Sequence, residues 1–122
     1  RVMKIAVTAQ GRDLESSLDP RFGRARFFLV VDLETGLSMA TDNTQNLNAL
    51  QGAGIQAGRN VVELGVGALI TGHVGPKAFA TLKAGGVQVF TGAEGSVADA
   101  VEQFKAGKLV LSSDADVDGH WV

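Results

Sequence analysis

An apolar strand that runs directly into a helix start marked by glycine and proline, at residues 70–79, is the feature that most constrains this chain. The run 68–70 is of the buried-strand kind, two glycines then free the backbone, and Pro76 suits the first helical position because its missing N–H needs no partner there. The first N–H groups of such a helix lack intrahelical acceptors, and the helix dipole adds positive charge. With His73 and Lys77 as further donors, the stretch predicts either an anion site or an ordinary strand-to-helix turn.

Positive charge is concentrated in the polar segment 10–26, a loop long enough to suggest a function. Four of the eleven basic residues lie there: Arg12, Arg21, Arg24 and Arg26. The tetrapeptide 21–24, Arg-Phe-Gly-Arg, combines two planar guanidinium groups, which suit oxyanions, with an aromatic ring that could cover an apolar side of a bound anion. Solvated loop arginines are the alternative interpretation.

A third glycine-marked place is the start of the amphipathic helix predicted at 52–64. Gly52, Gly54 and Gly58 would each cost about 1 kcal/mol in a helix interior relative to alanine. Either close packing of this helix on the sheet offsets that cost, or a ligand approaches the backbone at the helix N-terminus.

The order of the predicted elements is β-β-β-α-β-α-β-α. The strands are predicted at 4–9, 27–32, 37–42, 68–70 and 87–90, and the other helices at 76–84 and from a cap at Ser96 to Gly107. Residues 108–111 could add a short extended piece. An antiparallel meander followed by two right-handed crossovers predicts an α/β, ribonuclease-H-like fold with a mixed five-stranded sheet flanked by helices. The three glycine-marked places are the loop at 10–25, the helix start at 52 and the helix start at 75. Each follows the end of a strand, so the three should converge at one edge of the sheet.

Length and composition predict a single domain over 1–122, with a loose acidic tail at 112–122. The absence of cysteine excludes disulfides, thiolate metal sites and cysteine-ligated iron–sulfur clusters. The net charge of −2 gives no reason to expect nucleic-acid binding. Because the sequence has no long apolar run and no signal-peptide pattern, we expect a cytoplasmic protein without membrane contact.

Several catalytic and metal-binding motifs are missing. The first strand carries no carboxylate, which disfavours two-metal nuclease chemistry, and neither a phosphate loop nor a nucleophile elbow is present. The tail 114–119 copies the first half of a calcium loop but ends before its last ligand. Of the two histidines, His73 is the candidate metal ligand because of its glycine-rich setting.

Three segments in the same order resemble motifs of the dinitrogenase iron-molybdenum cofactor biosynthesis family. They are Asp-Pro-Arg-Phe-Gly-Arg-Ala at 19–25, Gly-Ala-Gly-Ile at 52–55 and Thr-Gly-His-Val-Gly-Pro-Lys-Ala at 71–78. The resemblance extends over about residues 3–104. It implies a small ribonuclease-H-like domain that binds or carries an anionic molybdenum-containing metal–sulfide cluster, Mo–Cu or Mo–Fe, without covalent attachment.

Such a cluster brings its own sulfide, so it needs cationic donors and a partly apolar surface from the protein, not cysteine. The residues that the resemblance and the local chemistry together assign to cluster binding are Arg21, Phe22, Gly23, Arg24, Gly52, Gly54, Gly72, His73, Val74, Gly75 and Lys77.

The leading hypothesis is therefore a non-enzymatic protein, expected to be a monomer, that binds, assembles or delivers this cluster and hands it to a cofactor-accepting or redox partner protein. One alternative is a small-molecule enzyme or binding module that uses the same anion site for a phosphorylated ligand. Another is a regulatory module whose partner recognises the occupied site.

Overall fold

A computed structural model describes residues 4–43 and 53–112. Its strands form one mixed sheet in the order β3-β2-β1-β4-β5-β6. Their bounds are β1 Lys4–Ala9, β2 Phe27–Asp32, β3 Ser38–Asp42, β4 Ala68–Ile70, β5 Gln88–Thr91 and β6 Val110–Leu111. The ribonuclease-H-like α/β fold predicted from the element order is thus confirmed.

Strand pairing has the predicted directions. The meander β1-β2-β3 is antiparallel, whereas β4 pairs parallel to β1 and β5 parallel to β4. The predicted number of five strands was too low, because β6 pairs antiparallel to the end of β5, with Leu111 opposite Phe90. A strand of two exposed residues has no alternation of apolar and polar side chains, so the pattern at 108–111 did not define it.

Three helices cover the sheet, α1 at Ala53–Glu63, α2 at Pro76–Ala84 and α3 at Val97–Lys105. Helices α1 and α2 share one hydrophobic cluster with Ala6 of β1, while α3 shares the cluster on the opposite face with Ile5 and Val7. Strand β1 is therefore buried on both faces, as its apolar composition predicted.

Helix α3 begins with the predicted cap. The Ser96 hydroxyl accepts from the Asp99 backbone N–H at 3.1 Å, and the Asp99 carboxylate accepts from the Ser96 N–H at 3.1 Å. This reciprocal arrangement satisfies two N–H groups that the helix itself leaves without acceptors.

The helical glycines serve contact between helices. A Cβ at position 54 would lie 3.3 Å from Cβ of Ala78, and one at position 58 would lie 3.1 Å from Cγ2 of Thr81. Gly54 and Gly58 therefore allow α1 to pack closely against α2, whereas the sequence led us to expect close packing against the sheet. Gly52 lies outside the described residues. Glycine in a helix is tolerated where another backbone or side chain comes this close.

The acidic tail was predicted to begin at residue 112. Ser112 is buried, and its N–H donates to the carbonyl of Val89 at 2.8 Å, so this residue belongs to the edge of the sheet. Residues 113–122, which include the calcium-like segment, lie outside the described residues. None of the helices within 4–43 and 53–112 is long and apolar enough to cross a membrane.

Candidate anion-binding site

The arginine-bearing loop 10–26 crosses the sheet at the carboxyl ends of its parallel strands. It is tied to the end of β1 by the N–H of Asp19, which donates to the carbonyl of Thr8 at 2.9 Å. It is tied to the segment after β5 by the N–H of Leu18, which donates to the carbonyl of Gly95 at 2.9 Å. Because β4 lies between β1 and β5, the loop must pass over the turn that follows β4.

The loop and that turn touch at Pro20 and Gly72. A Cβ at position 72 would lie 2.8 Å from Cα and 2.9 Å from the carbonyl oxygen of Pro20, closer than real Cβ contacts. Both atoms belong to the backbone and cannot rotate away. Gly72 is therefore required for the approach of the loop, which is a reason that the sequence could not supply.

Immediately after this contact, Arg21 lies beside His73. The two residues form a parallel β-bridge, and the N–H of Phe22 donates to the carbonyl of His73 at 3.3 Å. The side chains of both residues are exposed. The structure thus brings together the loop 10–26 and the turn that leads into α2.

Helix α2 begins at Pro76, shortly after the contact between Arg21 and His73. Gly75 is its N-cap, with an extended backbone at φ −78° and ψ 168°, and no described side chain caps the helix. A Cβ at Gly75 would meet no atom of the described residues within 4 Å. With the exposed Lys77 in the first turn, this helix start offers N–H groups, dipole and a cation to an anion.

The glycine-marked start of α1 is also close. Gly54, in the first turn of α1, packs against Ala78 in the first turn of α2. The predicted convergence therefore holds for the loop 19–25, the turn 71–78 and the start of α1 from residue 53 onward. The contribution of Gly52 stays a prediction.

Two of the residues assigned to the site point into the core. Phe22 is 2% exposed and its ring centroid lies 5.5 Å from that of Phe28, while Val74 is also 2% exposed. These side chains have no exposed surface to offer a ligand, in contrast to the expectation that Phe22 covers it. The aromatic ring instead anchors the loop, and its neighbour Arg21 stays exposed to solvent.

The arginines of the loop lie in different surroundings. The guanidinium of Arg12 lies 4.8 Å from the ring centroid of Phe27, a cation–π contact outside the meeting point of loop and turn. Arg24 and Gly23 are half-buried beside the anchored Phe22. Of the loop arginines, Arg21 is the one whose backbone forms a bridge with His73, and Arg24 follows three residues further along the chain.

Sequence reasoning missed Asp19. Its carboxylate is 1% exposed, and Oδ1 accepts from the Arg21 N–H at 3.0 Å and from Arg21 Nε at 3.4 Å. Oδ2 is buried without a hydrogen-bond partner among the described residues. The available signal was an aspartate followed by proline, which is typical of a turn in which the carboxylate accepts from the N–H two residues later.

The hydroxyl groups of Thr8 and Thr71 fix the position of the Asp19 backbone. The Thr8 hydroxyl donates to the carbonyl of Asp19 at 2.6 Å and lies 2.9 Å from the hydroxyl of Thr71. Thr8 and Thr71 are both completely buried. The loop is thereby joined to two neighbouring strands, which fixes the backbone that carries Arg21.

The donors at this site suit an anion better than a bare metal ion. Within the described ranges, no three His, Cys, Asp or Glu side chains are grouped closely enough to hold a metal. The residues that do meet are Arg21, His73 and Lys77 together with backbone N–H groups, which are donors to negative charge. If His73 ligates a metal, the other ligands must come mostly from the bound species.

Comparisons with known proteins agree with this architecture. The chain is 42% identical to the orange protein of Desulfovibrio gigas, solved in its apo form, with a TM-score of 0.88 over 93% of this chain and 95% of that one. TM1290 of Thermotoga, solved by NMR, is 37% identical with a TM-score of 0.78, covering 89% of this chain and 92% of that one.

The similarity extends to archaea and to a defined family. Uncharacterized protein MJ0580 of Methanocaldococcus jannaschii is 30% identical over 111 residues, which are 89% of this chain and 91% of that protein. Residues 3–107 match the family described as dinitrogenase iron-molybdenum cofactor, which implies metal-cluster binding. The chain belongs to the dinitrogenase iron-molybdenum cofactor family.

Proposed function

We propose that this protein is a non-enzymatic carrier that binds an anionic molybdenum-containing metal–sulfur cluster non-covalently and delivers it. The observation that carries the proposal is the meeting of Arg21 with His73 at the start of α2, which no side chain of the described residues caps. Family membership supports a metal cluster as the bound species, and the local chemistry supports an anionic one.

The chain lacks cysteine, so the cluster must supply its own sulfide. Sulfide ligands on the outside of a cluster accept hydrogen bonds from cationic and backbone donors. On this proposal the cluster is bound by the side chains of Arg21, Arg24, His73 and Lys77. The backbone of residues 72–75 lines the cluster-binding surface. The metals of the cluster are either molybdenum with copper or molybdenum with iron.

The proposed cargo implies a recipient. A site on exposed loops, held by hydrogen bonds and charge without covalent links, allows transfer to a cofactor-accepting or redox partner protein. We propose that the carrier acts as a monomer in the cytoplasm, without nucleic-acid or membrane contacts.

The start of α2, with its outward N–H groups, also favours a second candidate, a phosphorylated small molecule bound by the same donors. A phosphate ester and a sulfide cluster both present negatively charged acceptors. The two candidates differ in metal content and in colour, which makes them separable in one preparation.

The test is elemental analysis together with a visible spectrum of protein purified without oxygen from its native source. Molybdenum with copper or iron, acid-labile sulfide and a charge-transfer absorption band would support the carrier and identify the metal pair. Repeated preparations without stoichiometric metal would contradict stable cluster binding and shift the assignment to the phosphorylated ligand.

A further inference from the structure

Asp19 is the ionisable side chain that the structure buries beside the anion site. It is 1% exposed, and it is the only acidic residue among the buried side chains of the described ranges. A buried carboxylate is costly unless its charge and its acceptor positions are satisfied. Here one oxygen is satisfied and the other, Oδ2, has no partner among the described residues.

The turn at 19–21 does not require that charge. Its backbone hydrogen bond runs from the Arg21 N–H to Oδ1, and an asparagine oxygen would accept it equally well. What the charge adds is the ion pair with Arg21, at 3.4 Å from Nε to Oδ1. The Arg21 side chain is 66% exposed, so its terminal nitrogens remain accessible to an anion.

An anion bound by those terminal nitrogens would share one guanidinium with Asp19. Two negative charges on one cation repel each other, and a buried carboxylate is screened by salt far less than an exposed one. The carboxylate therefore weakens the hold of the site on its anion. For a carrier, which must release what it binds, this is a useful property.

We propose that Asp19 is an internal counter-anion of the cluster site, which occupies Arg21 in the empty protein and keeps binding of the anionic cargo reversible. This proposal rests on the proposed carrier function. It predicts that removing the charge of Asp19 while keeping its shape makes anion binding tighter.

The experiment measures binding of tetrathiomolybdate, a simple sulfide-bearing molybdenum dianion, to the full chain by titration and by its release rate. Asp19→Asn keeps an oxygen for both Arg21 hydrogen bonds, removes the charge and places an amide nitrogen of similar size at the position of Oδ2. We expect about tenfold tighter binding, equivalent to about 1.4 kcal/mol, mainly through slower release. The matched control is Glu15→Gln, which makes the same charge change at an exposed residue of the same loop and should leave binding unchanged.

Weaker or unchanged binding by Asp19→Asn would overturn the proposal, and weaker binding would mean that Asp19 only positions Arg21. Equal tightening by Glu15→Gln would overturn it too, because net charge alone would then explain the effect. If thermal unfolding shows that Asp19→Asn does not fold, Asp19→Ser keeps an acceptor for the turn and should change affinity in the same direction. Failure of the wild-type protein to bind tetrathiomolybdate would instead refute the carrier function and this proposal with it.

Discussion

Replacing Gly72 by alanine tests whether the contact between loop and turn is as tight as the structure shows. The added Cβ would lie 2.8 Å from Cα, 2.9 Å from the carbonyl oxygen and 3.0 Å from Cβ of Pro20. None of these atoms is the far end of a flexible side chain, so either the loop or the turn must shift. Overpacking of this kind typically destabilises by about 1–3 kcal/mol.

For a domain of this size, a loss of about 2 kcal/mol corresponds to a fall in Tm of roughly 8 °C. Thermal and denaturant unfolding followed by circular dichroism would measure it. The shift also moves Pro20 away from the turn, and with it the neighbouring Arg21. We therefore expect Gly72→Ala to bind tetrathiomolybdate more weakly than the wild-type protein does.

Gly67→Ala is the matched control. A Cβ at Gly67 would meet no atom within 4 Å in the part of the chain that the structure describes, and this glycine does not have positive φ. Its replacement should be neutral or should stabilise by about 0.4–1 kcal/mol through the unfolded chain. Wild-type stability of Gly72→Ala would refute the close approach of the loop to the turn and the geometry of the site derived from it.

Three further variants, one of them a double variant, test separate parts of the site and the fold. Arg21→Ala combined with Arg24→Ala should weaken retention of the cluster, or of tetrathiomolybdate, by at least tenfold while leaving the circular dichroism spectrum unchanged. Phe22→Ala should destabilise by about 3–5 kcal/mol, measured by denaturant unfolding, because it empties a buried aromatic position. Ser96→Ala should cost about 1 kcal/mol in the same assay, because it removes half of the capping box of α3.

Each of these three has an outcome that would contradict it. For the arginine pair, the control is Lys83→Ala with Lys105→Ala, which removes the same charge from the last turns of α2 and α3. Equal loss of binding in both double variants would show a general charge effect. A Phe22→Ala protein of nearly wild-type stability would place the ring outside the core, and an unaffected Ser96→Ala protein would mean that solvent replaces the cap.

Local signals in the sequence predicted the elements well. The start of α2 at Pro76 and the cap of α3 at Ser96 were predicted at the residues where the structure has them. A proline without an N–H and a serine hydroxyl act on backbone groups within three residues, so their effect does not depend on the rest of the fold. The antiparallel meander and the two parallel crossovers followed from the order of these elements along the chain, combined with the handedness of crossovers.

The site was predicted as a set of segments, but not as a set of contacts. That the segments 19–25 and 71–78 meet followed from the rule that ligands lie at the carboxyl ends of parallel strands. Which side chains face outward did not follow. Phe22 and Arg21 are neighbours in one loop, and only packing against Phe28 turns one inward while the other stays exposed.

By itself, the sequence determined the start of α2 at Pro76, the cap of α3 at Ser96 and the ribonuclease-H-like order of elements, and it predicted a cationic site without cysteine. Only the tertiary structure decided that Gly72 makes room for Pro20, that Gly54 and Gly58 face α2, and that Asp19 is buried against Arg21. The physical reason is how far apart along the chain the interacting residues lie. Caps and turns depend on neighbours along the chain, whereas burial, close approach and the pairing of a buried charge depend on residues that folding brings together from distant segments.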